Sequence, residues 1–321
     1  MKILIIPDIH ETSYYKSYLD KVNDYDKIIF LGDYFDYHGK KPDGDACANF
    51  REICEFKRKY NDKVDMLIGN HDNTYISDDM TNSFQYVNEA KIEKVLRENF
   101  DLLKIAVEYD GYVFSHAGIS DIFLYMYGMA DNVNGIIVLH DDAIQMLNDK
   151  LKENQIFGYS PFDMSGYGDD KTASPLWIRP NALINHSAFA KQVVGHTAVV
   201  KDAAAFYKLK DHYFIFTDTV EHNCIIEIDT QKEYEYKDLD KKEPIQVEKV
   251  EIIQSKGGVY NVFITYAHEF DTKVMNAYSI YGFETPEEAE DATLRMFDEL
   301  RAEKKEIVDL PEFTVIPFED K

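Results

Sequence analysis

The sequence predicts an α/β fold, and two observations carry the prediction. First, many of the intervals between its apolar runs are long enough to hold helices, as in proteins with parallel sheets. Second, the runs themselves are short, largely β-branched or aromatic, and typical of strands buried on both faces. They are KILIIP (2–7), KIIFLG (27–32), VDMLIG (64–69), GYVFSH (111–116), KQVVGH (191–196) and YFIFTD (213–218).

Two segments between these runs show the apolar period of amphipathic helices. They are residues 88–100, with Ile92, Val95, Leu96 and Phe100 on one face, and residues 140–154, with Ile144, Leu147 and Leu151 on one face. The second lies within an insertion, about residues 119–178, that we expect to form one wall of a pocket and to influence substrate choice. The same region includes an aromatic loop with Tyr159, Phe162 and Tyr167, for which we favour a packing role.

The last strands of the first domain are predicted as a hairpin over residues 223–236, with its turn at Asp229 to Lys232. We therefore expect a first domain over residues 1–240 and a C-terminal α+β appendage over 241–321. Alternating residues at 258–270 and the segment AYSIYGF predict two strands. Thr285, Pro286 and Glu288 are typical of a helix start, which gives a small ββα unit. A lid, a docking surface and a stabilising flank are all compatible with it, and the flank is our default.

The charge balance limits the partners. The chain has 35 Lys and Arg against 59 Asp and Glu, a formal net charge of −24. Long-range attraction to a nucleic-acid backbone or to an anionic membrane is therefore disfavoured. A small anionic substrate stays compatible, because bound cations can invert the field inside one pocket.

The small number of cysteines and the short apolar stretches of the sequence suggest a cytoplasmic protein. Cys47, Cys54 and Cys224 are too few and too scattered for a disulfide framework. The N-terminal apolar stretch is too short for a signal peptide, and no window offers the roughly 20 apolar residues of a membrane span.

Polar residues follow most of the apolar runs. In open α/β sheets the carboxyl ends of the strands form the binding crevice, so these residues are expected to converge. Imidazoles, carboxylates and a carboxamide form a donor set that suits Mn, Fe or Zn. The residues are Asp8, His10, Asp33, Asp36, Asn70, His71, His116 and His196.

Five blocks make the chain resemble the calcineurin-like metallophosphoesterase superfamily, over roughly residues 1 to 235. They are DIH (8–10), GDYFD (32–36), GNHD (69–72), SHAG (115–118) and GHT (195–197), in the family order. The resemblance implies a four-layer α/β/β/α sandwich. The single-histidine GHT block and the segment SPLWIRP (174–180) are most similar to the branch of phosphoprotein phosphatases and symmetrical diadenosine tetraphosphate hydrolases.

The resemblance also implies a role for each site residue. Asp8 and His10 would bind a first metal ion, Asp33 would bridge two ions, and the second ion would be bound by Asn70, His116 and His196. His71 would protonate the leaving oxygen and Asp36 would orient it. Arg179 would clamp a phosphate oxygen. From the residues alone, Arg179 could instead stack on Trp177 as a packing contact, and we favour the catalytic role.

Two departures from the family pattern refine the expectation. Where phosphoprotein phosphatases continue the second block with Arg-Gly, this chain has Tyr37, His38 and Gly39 after Asp36, so one phosphate-binding arginine is missing. His38, Arg51 and Arg58 are candidates to replace it. Ala198 stands where many phosphodiesterases have a second histidine, which favours the phosphatase branch.

The function expected from this resemblance is a phosphatase that cleaves phosphate monoesters by attack of metal-bound water. Two divalent ions are implied as cofactors; Mn is favoured, and Fe, Zn or Ni are also compatible. A dinucleoside polyphosphate hydrolase is the alternative, a phosphodiesterase or nuclease is disfavoured, and a non-catalytic scaffold would be expected to have lost ligands. Small-molecule, nucleotide and phosphoprotein substrates all stay open, as does the oligomeric state.

Overall fold

The computed structural model divides the chain into two compact units, Met1–Asp238 and Leu239–Lys321. Each unit is described by itself. The described residues are 1–37, 44–77, 81, 83–153, 157–158, 168–198, 204–218, 225–239, 247–256, 258–266, 277–302 and 313–316.

The first unit contains thirteen strands among its described residues. They are β1 Lys2–Ile6, β2 Lys27–Phe30, β3 Val64–Leu67, β4 Leu103–Lys104, β5 Ala106–Tyr109, β6 Tyr112–Ser115, β7 Ala130–Val133, β8 Ile136–Leu139, β9 Lys191–Val194, β10 Ala205–Leu209, β11 His212–Phe216, β12 Ile226–Asp229 and β13 Lys237–Asp238.

Seven helices accompany these strands in the described part of the unit. They are α1 Lys16–Leu19, α2 Ala46–Lys59, α3 Asn70–Asn73, α4 Glu89–Glu98, α5 Asp121–Met126, α6 Ala143–Glu153 and α7 Pro180–Asn185. Both predicted amphipathic helices are present: Ile92, Val95 and Leu96 are buried in α4, and Leu147 and Leu151 are buried in α6. Phe100 lies just after α4, in a short 3-10 helix.

Two sheets organise the first unit. The first has the order β12-β1-β2-β3-β4, in which β1 to β4 run parallel. The second has the order β13-β10-β11-β9-β6-β5, with β6, β9 and β11 parallel. All six apolar runs predicted as strands are central members of these sheets. The α/β prediction is confirmed.

The two sheets share a core because alternate residues of each strand point to opposite faces. Ile3, Ile5 and Ile29 of the first sheet pack in one cluster with Phe114 and Val193 of the second. The alternate residues belong to another cluster, which includes apolar side chains of the helices. Those strand residues are Leu4, Ile6, Ile28, Phe30 and Met66, and the helix residues include Phe50, Ile53, Ile92 and Val95. Burial on both faces explains why the strands read as continuous apolar runs.

The predicted hairpin over residues 223–236 is wrong. Its turn exists, since the amide of Lys232 donates to the carbonyl oxygen of Asp229 at 2.9 Å. The flanking strands, however, belong to different sheets: β12 pairs antiparallel with β1, and β13 pairs parallel with β10. The segment therefore connects the two sheets instead of closing one of them.

The second unit is a four-stranded sheet with one helix. Its elements are β14 Val247–Gln254, β15 Tyr260–Tyr266, β16 Ala277–Phe283, α8 Pro286–Ala302 and β17 Phe313–Ile316, and its strand order is β16-β15-β14-β17. The expected two strands and helix are present as β15, β16 and α8, and β14 and β17 extend the sheet. Thr285 Oγ1 accepts from the amide of Glu288 at 3.2 Å, which caps the helix start. No helix in the described residues is long and apolar enough to cross a membrane.

Candidate active site

The candidate site lies where parallel strands of both sheets end. Asp8, Asp33 and Asn70 follow β1, β2 and β3 of the first sheet, whereas His116 and His196 follow β6 and β9 of the second. Hydrogen bonds join the two sets: the amide of His196 donates to Asp8 Oδ2 at 3.1 Å, and Nδ1 of His116 donates to the carbonyl oxygen of Leu31 at 2.9 Å. Residues almost two hundred positions apart are thereby brought together.

Two groups of potential metal ligands share the carboxylate of Asp33. One group is Asp8, His10 and Asp33; the other is Asp33, His116 and His196. Within each group the ligand atoms lie within 4.8 Å of one another. Asp33 Oδ2 is 3.7 Å from Nε2 of His10 and 3.5 Å from Nε2 of His116, so it lies between a ring of each group.

Asn70 contributes its side-chain oxygen to the second group. Oδ1 of Asn70 lies 2.8 Å from Nε2 of His116 and 3.0 Å from Nδ1 of His196. The structure thus brings together all six residues predicted as metal ligands, namely Asp8, His10, Asp33, Asn70, His116 and His196.

Each of the three imidazoles has its other nitrogen bound to a backbone carbonyl. His10 Nδ1 donates to the carbonyl oxygen of Asp36 at 2.7 Å, and His196 Nε2 donates to that of Trp177 at 3.2 Å. With the Leu31 contact of His116, these bonds fix the tautomer of every ring. The opposite nitrogens then carry lone pairs: those of His10 and His116 lie 3.7 Å and 3.5 Å from Asp33 Oδ2, and that of His196 lies 3.0 Å from Asn70 Oδ1, as in metal-ligating histidines.

Glycines in three of the blocks are required by close packing around the carboxylates. A Cβ atom on Gly195 would lie 2.3 Å from Asp8 Oδ1, and one on Gly32 would lie 2.5 Å from the backbone nitrogen of Gly69. In each of these blocks the glycine lets two backbone segments lie close together, and the residue after it is a candidate metal ligand. The pairs are Gly32–Asp33, Gly69–Asn70 and Gly195–His196.

The backbone of the site is unusual as well. His10, Asp33, Asp36 and His196 have φ values of 44°, 50°, 63° and 62°. Non-glycine residues seldom adopt this left-handed region, and such residues concentrate at functional sites. The surrounding sheets hold these conformations in place.

Burial sets the protonation of the candidate ligands. Desolvation, together with the neighbouring Asp218, raises the pKa of Asp8 well above its ordinary value. Desolvation and the nearby Asp8 and Asp72 raise the pKa of Asp33 in the same way. Burial lowers the pKa of His116 to about 3, so its ring is neutral at ordinary pH. Neutral imidazoles beside buried carboxylates fit divalent cations of the borderline and hard type.

His71 and Asp36 form a hydrogen-bonded pair next to the six donors. His71 Nδ1 lies 2.9 Å from Asp36 Oδ2, and the amide of His71 donates to Asp33 Oδ1 at 2.9 Å. The Asp36 side chain is fully buried, whereas that of His71 is 14% exposed. The ring therefore has a fixed inner nitrogen, Nδ1, and leaves Nε2 for a bound molecule.

Arg179 is the N-cap residue of α7, beside the His196 block. Its Nη1 donates to Thr197 Oγ1 at 3.1 Å and to the carbonyl oxygen of His196 at 3.2 Å, and its amide donates to the carbonyl oxygen of Gly168 at 2.7 Å. Burial lowers the pKa of the guanidinium, while the carboxylates of Asp169, Asp218, Asp8 and Asp33 oppose that shift. A cation is thus placed among the carboxylates of the site.

Several site contacts were not predicted from the sequence. Asp72 accepts from the amides of Tyr34 (2.8 Å) and Gly69 (2.9 Å), which ties the second block to the third. Tyr75, Thr81 and Gln85 all donate to the carboxylate of Asp36. Asp72 ends the GNHD block, but the block does not indicate these bonds, and the other three are ordinary polar residues outside every block.

The candidates for the missing arginine stay unassigned. Arg58 Nη2 donates to Asn99 Oδ1 at 2.8 Å, and Arg51 lies on an exposed part of α2. His38 lies outside the described residues, as do Tyr159, Phe162 and Tyr167 of the aromatic loop.

Comparison with known proteins gives a family and a set of distant structures. A protein-tyrosine phosphatase of the psychrophile Shewanella sp. is 15% identical over 68% of this chain and 71% of its own, with a TM-score of 0.43. The phosphoesterase YfcE of E. coli is 10% identical over 87% and 98%, with a TM-score of 0.28. No curated protein matches the sequence. The family model for calcineurin-like phosphoesterases matches residues 1–199, which is more than half of the chain. The protein therefore belongs to the calcineurin-like phosphoesterase family and is a metal-dependent phosphoester hydrolase.

Proposed function

We propose that the protein is a phosphatase that hydrolyses phosphate monoesters at a site for two divalent metal ions. The observation that carries the proposal is the position of Asp33, whose carboxylate belongs to both groups of donors. A carboxylate shared in this way is suited to bridge two ions about 3.5–4 Å apart. Asp8 and His10 would complete one site, and Asn70, His116 and His196 the other.

The donor chemistry is compatible with manganese, iron or zinc, and manganese is the ion in our proposal. Three imidazoles, two carboxylates and one carboxamide are intermediate in softness, and the donor atoms are nitrogen and oxygen throughout. The ions would supply an activated water and neutralise charge on the phosphoryl oxygens.

The residues around the two sites have separate tasks in this proposal. His71 donates the proton of Nε2 to the leaving oxygen, and Asp36 holds the ring through Nδ1 at 2.9 Å. Arg179 binds a phosphoryl oxygen with N–H groups of its planar fork, and its effect is greatest when negative charge develops. His71 and Asp36 belong to the GNHD and GDYFD blocks, and Arg179 lies beside the GHT block.

Turnover of paired substrates tests the proposal. We would measure hydrolysis of p-nitrophenyl phosphate and of bis-(p-nitrophenyl) phosphate by the purified protein after metal removal, with and without added Mn²⁺. We expect Mn²⁺-dependent hydrolysis that favours the monoester. A preference for the bis-ester would replace the phosphatase by a phosphodiesterase, and no turnover of either substrate in the metal-loaded protein would overturn the proposal.

A panel of candidate substrates would then test which class of phosphate compound the protein prefers. Phosphopeptides, small phosphate esters and diadenosine polyphosphates would be compared by kcat/KM under the same metal conditions. We expect phosphate monoesters to be preferred. A clear preference for the dinucleotides would assign the protein to the polyphosphate hydrolases instead.

A further inference from the structure

The carboxylate of Asp36 accepts more hydrogen bonds than its contact with His71 requires. Oδ2 accepts from Thr81 Oγ1 at 2.9 Å in addition to the His71 ring. Oδ1 accepts from the hydroxyl of Tyr75 and, at 3.3 Å, from Nε2 of Gln85. A fully buried carboxylate with four donors has little freedom to rotate.

Two of the three additional donors, Tyr75 and Gln85, make further contacts that hold them in place. The hydroxyl of Tyr75 accepts from the amide of Gln85 at 2.9 Å, and Nε2 of Gln85 also donates to Glu11 Oε1. The ring of Tyr75 stacks on Phe84, with centroids 4.7 Å apart and planes at 20°. The donors therefore form a connected network, which we call the Asp36 clamp and define as Tyr75, Thr81 and Gln85.

We propose that the Asp36 clamp consists of positioning residues for protonation of the leaving group, acting through Asp36 on the ring of His71. The inference rests on the proposed function and deepens it. His71 is held at two points, by its amide on Asp33 and by Nδ1 on Asp36. The backbone of His71 is fixed by the bond between its amide and Asp33. The direction of Nε2 therefore depends on the bond between Nδ1 and Asp36, and the Asp36 clamp holds the Asp36 carboxylate in position for that bond.

The step that depends on this direction can be written in full. The oxygen of water forms the new bond to phosphorus, and the bond between phosphorus and the leaving oxygen breaks with its electron pair on that oxygen. The leaving oxygen takes the proton of His71 Nε2 and departs as an alcohol. A proton released by the attacking water returns His71 to its starting form, so atoms and charge balance.

If the Asp36 clamp positions the acid, the loss of rate in a clamp variant should depend on the leaving group of the substrate. A good leaving group such as p-nitrophenolate departs with little help from an acid, whereas phenolate needs the proton in the transition state. A clamp variant should therefore lose rate mainly on phenyl phosphate. A residue that only stabilises the fold would lower the rates on both substrates together.

The experiment compares Tyr75→Phe and Thr81→Val with the wild type in the Mn²⁺-loaded full chain. We expect kcat on phenyl phosphate to fall about tenfold and kcat on p-nitrophenyl phosphate to fall less than about threefold, as a fraction of the roughly 10²- to 10⁴-fold effect of a general acid. KM and metal content should stay unchanged. Thr81→Ser, which restores the hydroxyl donor, should restore the rate on phenyl phosphate.

Two matched controls exist in the chain. Tyr109→Phe removes a tyrosine hydroxyl that donates to the buried Asp65 at 2.5 Å, and Thr293→Val removes a buried hydroxyl that donates to the carbonyl oxygen of Ala289. Both should leave the ratio of the two rates unchanged. If Tyr75→Phe fails to fold, Thr81→Val and Thr81→Ser still decide the question.

His71→Asn separates failure of this inference from failure of the proposed function. If His71→Asn lowers the rate on phenyl phosphate selectively while neither clamp variant does, the clamp inference is wrong and the acid assignment stands. If His71→Asn lowers both rates equally, His71 is not the acid and the proposed function must be revised at that residue. Equal losses on both substrates in the clamp variants also overturn the inference.

Discussion

The backbone of Gly69 lies so close to Asp33 that a Cβ atom on Gly69 would be 2.0 Å from Oδ1 of the Asp33 carboxylate. The same Cβ would be 2.4 Å from the backbone nitrogen of Asp33. The carboxylate is also held in place by a hydrogen bond, because Oδ1 accepts from the amide of His71 at 2.9 Å. Gly69 thus sets the distance between the block that carries Asp33 and the block that carries Asn70 and His71.

Gly69→Ala should therefore displace Asp33 and reduce metal binding. We expect the variant to lose most of its bound metal after purification and to lose about 1–3 kcal/mol of unfolding free energy from overpacking. Elemental analysis and urea unfolding would measure the two effects. Gly111→Ala is the control for metal content, because a Cβ there meets no atom within 4 Å. Its φ of 76° strains an alanine, so some loss of unfolding free energy is expected in the control as well. Full metal content in Gly69→Ala would contradict the packing argument.

The strands and the convergence of donors could be predicted because both follow from local rules. Runs buried on both faces have few polar residues, and parallel strands end at one edge. Asp33 and His116 were therefore predictable although they belong to different sheets. The partner of β12 was not predictable, because the turn at Asp229 is local whereas the choice of sheet depends on the packing of the whole unit. Tyr75, Thr81 and Gln85 were missed because the direction of their side chains depends on that packing too.

Asp33→Asn should remove metal from both proposed sites, since an amide cannot bridge two cations as a carboxylate does. Asp8→Asn should affect mainly the site formed with His10. We expect metal content after reconstitution with Mn²⁺ to fall toward zero for Asp33→Asn and to about half for Asp8→Asn, taking each bound ion to need every carboxylate of its donor group. Equal retention in both variants would show that Asp33 is not shared.

The unfolding free energy of the metal-free protein should depend on pH through Asp8 and Asp33. Both carboxyls have pKa values raised above the ordinary 3.8, first by burial and then by neighbouring carboxylates. Between the unfolded and folded pKa values the folded chain binds more protons than the unfolded chain, so stability falls as pH rises above the unfolded value. Mn²⁺ requires the deprotonated groups, so its binding should release protons and strengthen as pH rises.

Thermal unfolding with and without Mn²⁺, from about pH 5 to about pH 8, would measure both trends, because linkage relates each slope to proton uptake. The stabilisation by saturating Mn²⁺ should grow with pH, and Asp33→Asn should reduce that growth. A stabilisation by Mn²⁺ that is independent of pH in the wild type would contradict the raised pKa values.

His71→Asn should lower the rate without removing metal. The side chain of His71 contacts Asp36, whereas its amide, which an asparagine retains, contacts Asp33. We expect kcat on phenyl phosphate to fall by roughly 10²- to 10⁴-fold, the usual contribution of a general acid, and kcat on p-nitrophenyl phosphate to fall less. Elemental analysis alongside the kinetics is the decisive measurement, since loss of metal would mean that His71 is a ligand and that the roles of His71 and Asn70 are reversed.

Arg179→Lys should impair catalysis although the charge is kept. A lysine cannot reproduce the planar fork, which here already bonds Thr197 Oγ1 and the carbonyl oxygen of His196 through Nη1 and can direct further N–H groups to a phosphoryl oxygen. We expect kcat/KM on p-nitrophenyl phosphate to fall by about 10- to 100-fold, which corresponds to roughly 1.4–2.7 kcal/mol of transition-state stabilisation. Arg97→Lys, at an exposed guanidinium that bonds Glu93 on α4 instead, is the matched control and should keep wild-type kinetics. Because Arg179 is proposed to bind the phosphoryl group and not the leaving group, the loss of kcat/KM in Arg179→Lys should be the same for phenyl phosphate. A loss confined to the poorer leaving group would instead place Arg179 in the proton-transfer step.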